Sequence, residues 1–184
     1  MNNNENEKKI IVLNRDTKAI LVPSGRPVRV PQGTEVTVVQ SLGDTFTVNI
    51  LGNLARIEAK DSDALGKAVK SSLEDLPPDT TIKNKVWAQL GTVFDPEIPV
   101  NIVELGLVYA CDIERLEDDT FRVVVEMTLT APGCGMGPIL VEEVKQKILA
   151  IPEVSNTEVE IVFDPPWDRK MMSDAAKLQL GIFY

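Results

Sequence analysis

The 184-residue sequence contains no histidine and only two cysteines, Cys111 and Cys134. Without histidine, Ser-His-Asp catalysis, Cys-His catalysis and HExxH zinc sites are all excluded. Two cysteines can form at most one intramolecular bridge, which is unlike the disulfide frameworks of small secreted proteins. We therefore expect reduced thiols and a cytoplasmic location, with any chemistry carried by thiol, carboxylate, hydroxyl, amine or backbone groups.

Long apolar runs and an excess of positive charge are also missing. No stretch approaches the ~20 apolar residues that a membrane-spanning helix needs, so no membrane partner is expected. The start, MNNNENEKKI, is polar and contains acids, unlike a signal or transit peptide. Asp and Glu number 28 against 19 Lys and Arg, for a formal net charge of −9. Such a chain repels phosphates, and no nucleic-acid partner is expected.

The chain contains two regions of different pattern, which divide near SSLEDLPPDTT. Residues 1–76 hold five or six short runs with partial period-two alternation, which predict a β-rich module, a small barrel or roll. Gly52-Asn53 is predicted to be a two-residue hairpin loop within it. A connecting helix is expected from about Asp61, with apolar residues at helical spacing as far as Val69 and Leu73.

Residues 77–184 show the order α-β-β-α-β followed by a C-terminal helix. This order predicts an antiparallel hairpin plus one crossover strand, and thus a two-layer α+β domain. Within FRVVVEMTLT, the side chains of Val123, Val125 and Met127 are predicted to share one face. The segment MMSDAAKLQLG, which contains Leu178, is typical of a short amphipathic helix that Gly181 ends.

A glycine-rich loop, LTAPGCGMGP at residues 129–138, places Cys134 between a strand and a helix. Backbone N–H groups at a helix start stabilise a nearby thiolate. Gly133 and Gly135 remove bulk around the sulfur, so a metal, a cluster or a partner can approach. The alternative is a cysteine packed as a small hydrophobe, which is the interpretation favoured for Cys111 in LVYACDI. The loop lacks the full G-x-G-x-x-G pattern, and no nucleotide cofactor is expected.

Two carboxylates, Asp95 and Glu97, lie in DPEIPVNIVELG, where the prolines exclude regular structure. They either end a helix as solvated acids or lie near Cys134 as oxygen ligands or modulators of its thiolate. Thr128 and Thr130 are predicted to direct hydroxyls toward the same end of the hairpin, although strand preference explains threonine there equally well. A stable iron–sulfur cluster usually needs four protein ligands, commonly cysteine, so only transient or dimer-bridging cluster binding at Cys134 is compatible with the sequence.

Four segments, DPEIPVNIVELGLVY, MTLTAPGCGMGP, VFDPPW and MMSDAAKLQLGIF, resemble the signature segments of the SufT family. These are accessory proteins of the bacterial SUF iron–sulfur assembly system, within a wider family that includes PaaD-type proteins and the eukaryotic cytosolic iron–sulfur targeting factor. The resemblance is strong over residues 80–184 and extends to the leading β module. It implies a non-enzymatic factor that matures or delivers clusters to client apoproteins, with SUF-system proteins as partners.

The resemblance also implies roles for individual residues. The functional cysteine of the family maps onto Cys134, the acidic motif onto Asp95 and Glu97, and the strand threonine onto Thr128 or Thr130. Two other functions stay open: a thiol enzyme with Cys134 as nucleophile and glycine N–H groups as an oxyanion hole, and a scaffold in which the cysteine is incidental. A homodimer would bring two Cys134 thiols into one molecule.

Overall fold

A computed structural model describes residues 9–68 and 71–182. The polar start, Val69 and the last two residues lie outside this range. The chain divides into two compact units, a leading unit Met1–Lys70 and a second unit Ser71–Tyr184. The domain boundary predicted between residues 76 and 77 lies six residues C-terminal to this division, and it stays a prediction.

The leading unit contains one six-stranded antiparallel sheet. Its strands are β1 (Lys9–Val12), β2 (Thr17–Leu21), β3 (Pro27–Val30), β4 (Glu35–Leu42), β5 (Thr45–Ile50) and β6 (Asn53–Ile57), in the order β1-β4-β5-β6-β2-β3. Buried aliphatic side chains such as Val48, Ala55 and Ile57 line one face. Among the described residues β1 and β3 each pair with one strand only, so a closed barrel or roll stays a prediction.

The hairpin between β5 and β6 differs from the prediction. Its two-residue loop is Leu51-Gly52 rather than Gly52-Asn53, because Ile50 and Asn53 pair as the last residues of the two strands. Leu51 has a φ of 50° and Gly52 a φ of 88°. Two positive φ values are what a tight hairpin turn with the native strand twist requires, so leucine occupies a position that favours Asn, Asp or Gly.

The predicted connecting helix is also different in the structure. It is a short 3-10 helix over Ala59–Leu65 that begins two residues before Asp61 and does not continue to Leu73. Gly66, with a φ of 67°, follows it in the left-handed conformation, and its N–H bonds the carbonyl of Asp63. A left-handed glycine at this position ends a helix, which explains the early stop.

The second unit has the predicted order α-β-β-α-β. Its elements are α1 (Ile82–Leu90), β7 (Val108–Arg115), β8 (Phe121–Met127), α2 (Gly137–Leu149), β9 (Val154–Ile161), a 3-10 helix (Arg169–Met171) and α3 (Asp174–Gln179). β7 pairs antiparallel with β8, and β9 pairs parallel with β8 on its other side. α1 begins after Thr81, whose hydroxyl accepts the N–H of Asn84 and so caps the helix.

One core joins the sheet and the helices of the second unit. Val123, Val125 and Met127 are fully buried, as the alternation predicted. α1 and α2 contribute apolar residues to the same cluster, among them Leu90 and Val144. Within the described residues, none of the helices combines the length and apolarity that a bilayer crossing demands.

The C-terminal segment packs against the irregular loop at residues 95–106. The indole N–H of Trp167 donates to the Leu105 carbonyl at 2.8 Å, and the side chain packs against the core of the second unit. A Cβ on Gly106, whose φ is 72°, would overlap the backbone of Met171. Glycine is therefore required where this loop meets the C-terminal segment.

Candidate functional site

Asp95 organises the start of the loop at residues 95–106. Its side chain is only 4% exposed. One carboxylate oxygen accepts the backbone N–H groups of Glu97 and Ile98, both at 2.9 Å. These bonds satisfy two N–H groups that have no partner in a helix or sheet, because Pro96 and Pro99 interrupt regular structure here. The buried carboxylate therefore fixes the shape of the D-P-E turn, whereas the Glu97 side chain is exposed.

The second carboxylate oxygen of Asp95 connects this turn to the end of β8. The hydroxyl of Thr130 donates to it at 3.4 Å. Burial raises the pKa of Asp95 above its usual value, while the N–H groups of Ile98 and Glu97 act in the opposite direction. The structure thus brings Asp95 and Thr130 together across 35 residues of sequence, which joins two of the predicted site segments.

Thr128 and Thr130 occupy different environments, although the sequence predicts that their hydroxyls point toward the same end of the hairpin. Thr128 is fully buried, and its N–H donates to the Leu107 carbonyl at 2.8 Å. Its hydroxyl has no hydrogen-bond partner among the described residues. Thr130 is partly exposed and reaches Asp95. The difference arises because β8 ends at Met127, so strict alternation does not continue to Thr130.

The cysteine loop extends from Thr130 to the first turn of α2. Gly133 and Gly135 are exposed, and Gly133 has a φ of 77° with no atom near its missing side chain. Cys134 is a free, half-buried cysteine whose side chain packs against the core of the second unit. Its carbonyl accepts the N–H of Gly137, the first residue of α2, at 3.0 Å. The backbone of Cys134 is thus tied to the helix start, and its half-buried thiol is less open than the glycine-rich sequence suggests.

Gly137 explains how closely this helix start approaches the strand. A Cβ on Gly137 would lie 2.9 Å from a methyl group of Leu129. Pro138 follows as the second helical residue, where a backbone N–H would have no partner inside the helix. Leu129 precedes the loop at residues 130–136 and Gly137 follows it, so this contact holds the two ends of the loop together.

Asn101 is a positioning residue that the sequence analysis missed. Its side-chain oxygen accepts the N–H groups of Val103 and Glu104, at 3.0 and 2.9 Å, in the same pattern as Asp95. The repeated spacing in D-P-E-I and N-I-V-E was the available signal. Glu104 bonds the hydroxyl of Ser173, which ties this second turn to the start of α3.

Metal donors at this end of the unit are few. Within residues 9–68 and 71–182, no three side chains of Cys, Asp or Glu are grouped to hold a metal ion. Asp95 uses its oxygens for the turn and for Thr130, so Cys134 is the donor that the loop offers. A cluster held at Cys134 therefore needs further ligands from another molecule.

Known proteins are similar to this chain over the part that contains the candidate site. A sequence profile described as "Iron-sulfur cluster assembly protein" matches residues 83–161. "Fe-S protein maturation auxiliary factor YitW" of Bacillus subtilis is 48% identical over 101 residues, which are 55% of this chain and 95% of that protein. "Fe-S protein maturation auxiliary factor SufT" of Staphylococcus aureus is 48% identical over 90 residues, 49% of this chain and 98% of that protein.

A solved structure from Bacillus anthracis, titled as a domain of unknown function DUF59, is 43% identical and covers 55% of this chain and 93% of its own, with a TM-score of 0.48. Asp95, Thr130 and Cys134 all lie inside the profile match at residues 83–161. Identity of 48% over nearly the full length of two relatives confirms the resemblance inferred from the motifs. The chain belongs to the iron–sulfur cluster assembly protein family.

Proposed function

We propose that the protein is an accessory factor in iron–sulfur cluster assembly, which matures client proteins or delivers clusters to them, with Cys134 as the functional thiolate. The relatives at 48% identity are named for Fe–S protein maturation. The observation that carries the proposal is the position of Cys134: a free thiol between two exposed glycines, directly ahead of α2.

In this proposal the cluster is cargo. Cys134 supplies one thiolate, and the client apoprotein, a SUF-system protein or a second copy of this chain supplies the other ligands. Asp95 and Thr130 hold the base of the loop, and Gly133 and Gly135 keep the approach open. The exposed carboxylate of Glu97 belongs to the turn that Asp95 fixes. In this proposal the protein is a carrier and not an enzyme. It acts in the cytoplasm, where thiols stay reduced.

The thiol at Cys111 offers a matched control. It is the other free, half-buried cysteine, and it lies in the middle of β7. Burial raises the pKa of this thiol, and Asp112 adds to the effect while Lys83 opposes it. A thiol with a raised pKa stays protonated at neutral pH, and a protonated thiol is a poor metal ligand. Cys111→Ser therefore removes a sulfur without removing the proposed function.

The test is anaerobic reconstitution with iron and sulfide, followed by transfer to an apo-[4Fe–4S] enzyme. Wild type and Cys111→Ser are expected to develop sulfide-to-iron absorption and to activate the enzyme, and Cys134→Ser to do neither. Equal spectra and equal activation by all three proteins would contradict a direct ligand role for Cys134. An acyl or persulfide adduct on Cys134, detected by intact mass, would select the thiol-enzyme alternative instead.

A further inference from the structure

The sheet of the second unit has two faces of opposite character. Its inner face packs on the helices through residues such as Val123 and Val125. Side chains alternate along a strand, so the registers place the intervening residues on the outer face. These are Ala110, Asp112 and Glu114 on β7, Arg122, Val124 and Glu126 on β8, and Asn156, Glu158 and Glu160 on β9.

This outer face is acidic, and only part of its charge is neutralised. Arg122 lies 2.6 Å from Glu158 and 3.8 Å from Glu114. Across residues 9–68 and 71–182, Asp112, Glu126 and Glu160 have no ion-pair partner. Glu126 and Glu160 are direct cross-strand partners, an arrangement that destabilises a sheet when both residues carry the same charge.

The acidic outer face is also open to solvent. Its five carboxylate residues are all exposed, and Val124 lies half-buried among them. Three strands about 4.8 Å apart present a width that matches one helix of about 10–12 Å diameter.

We propose that this surface, the acidic sheet face, binds a basic amphipathic helix of a partner protein. Lysine or arginine side chains of the helix neutralise Asp112, Glu126 and Glu160, and an aliphatic side chain contacts Val124. Charge complementarity selects the partner: a second copy would present the same acidic face, and nucleic acid would be repelled. The inference rests on register and charge and is independent of the role of Cys134.

The probe is a synthetic helical peptide of leucine and lysine about 18 residues long, which matches the length of an eight-residue strand. Titration into the ¹⁵N-labelled full chain at ~0.15 M salt is followed by amide chemical shifts. We expect the shifts to concentrate on β7, β8 and β9. Shifts spread over other acidic segments, such as the turn at residues 116–119, would overturn the proposal.

Matched variants separate the face from net charge alone. Glu126→Lys with Glu160→Lys reverses two unpaired charges of the acidic sheet face. Glu117→Lys with Glu142→Lys makes the same change in net charge at exposed positions away from that face. We expect about tenfold weaker binding for the first pair and less than about twofold for the second. Glu126→Gln with Glu160→Gln, which removes the repulsion while keeping the shape, should also weaken binding. Equal effects of the two Lys pairs, or dimerisation of the free chain lost only in the first pair, would contradict the assignment.

Discussion

The leading unit and the second unit differ most in the charge that they carry. Residues 9–68 contain eight Lys and Arg against six Asp and Glu, whereas residues 71–182 contain nine against twenty. The acidic balance of the chain therefore belongs to the second unit, which also holds Asp95 and Cys134. The long-range field that steers charged partners originates on the same unit as the proposed site.

The leading unit also exposes several aliphatic side chains. Leu51, Leu54, Ile10 and Val12 are all exposed, and the first of these is 92% exposed. The registers of β1, β4, β5 and β6 place Ile10 and Leu54 in one row across the sheet. The second unit exposes large apolar residues as well, at Leu149, Phe163 and Leu178. Charge is therefore what distinguishes the surfaces of the two units, and substitutions matched between them can test how each unit is stabilised.

The largest expected effect concerns two left-handed glycines, one in each unit. Gly106→Ala places a methyl group into the Met171 backbone at a φ of 72°, and we expect it to destabilise the second unit by about 3 kcal/mol or more. Both tryptophans, Trp87 and Trp167, belong to the second unit. Urea unfolding followed by tryptophan fluorescence therefore measures this unit.

Gly52→Ala is the matched control in the leading unit. Its φ is 88°, but no atom lies within 4 Å of the added methyl group. We expect a cost of about 1 kcal/mol, from backbone strain alone, which amide hydrogen exchange in β5 and β6 would measure. Equal costs at the two glycines would show that the approach of Met171 does not constrain Gly106.

A second comparison separates the two threonines of the site. The Thr128 hydroxyl is buried without a partner among the described residues, so Thr128→Val should stabilise the second unit by about 1 kcal/mol. Thr130→Val removes the bond to Asp95 and should destabilise it by about 0.5–1 kcal/mol. A loss of stability in Thr128→Val, measured by the same unfolding curves, would indicate that the hydroxyl has a partner such as ordered water.

The hairpin loop of the leading unit gives a smaller expected gain. Leu51 combines a φ of 50° with nearly full exposure. Leu51→Asn should stabilise the leading unit by up to about 1 kcal/mol, because asparagine tolerates the left-handed region. Leu54→Asn, also at an exposed aliphatic residue but within β6, should bring no gain. Slower hydrogen exchange of β5 and β6 in the first variant alone is the expected result.

Alternation made much of the fold predictable. The buried face of β8 and the order α-β-β-α-β follow from local pattern, because one-sided burial fixes the side-chain period. The loop Leu51-Gly52 does not follow from local pattern, since cross-strand pairing fixed the register against the preference of leucine. Leu178 lies on α3 as expected, but it is 66% exposed, and Ala176 is the buried residue of that helix.

The candidate site was predictable in composition but not in geometry. Proline and glycine mark the D-P-E turn and the cysteine loop directly in the sequence. The contact between Thr130 and Asp95 spans 35 residues, and no local pattern encodes such a contact. The half-buried state of Cys134 likewise depends on packing against the core of the second unit, which the glycine-rich sequence does not reveal.

The smallest expected effects are opposite changes with pH in the stability that two carboxylates, Asp95 and Asp63, contribute. Burial raises the pKa of Asp95 above its usual 3.8, so the folded second unit binds this proton more tightly than the unfolded chain. Its contribution to stability is complete below pH 3.8 and declines as pH rises through the folded pKa. Asp95→Asn keeps the acceptor for both N–H groups and should remove this decline above pH 3.8, which unfolding curves at a series of pH values would measure.

Asp63 in the leading unit should behave in the opposite way. The hydrogen bond from Arg15 lowers the pKa of Asp63 below its usual 3.8. The stability that it contributes is present above that value and is lost as pH falls through the folded pKa. Asp63→Asn should therefore weaken the leading unit slightly at neutral pH and not in strong acid, as measured by proteolysis rates of that unit. If both Asn variants shifted stability in the same direction at neutral pH, burial and ion pairing would not be what distinguishes these two carboxylates.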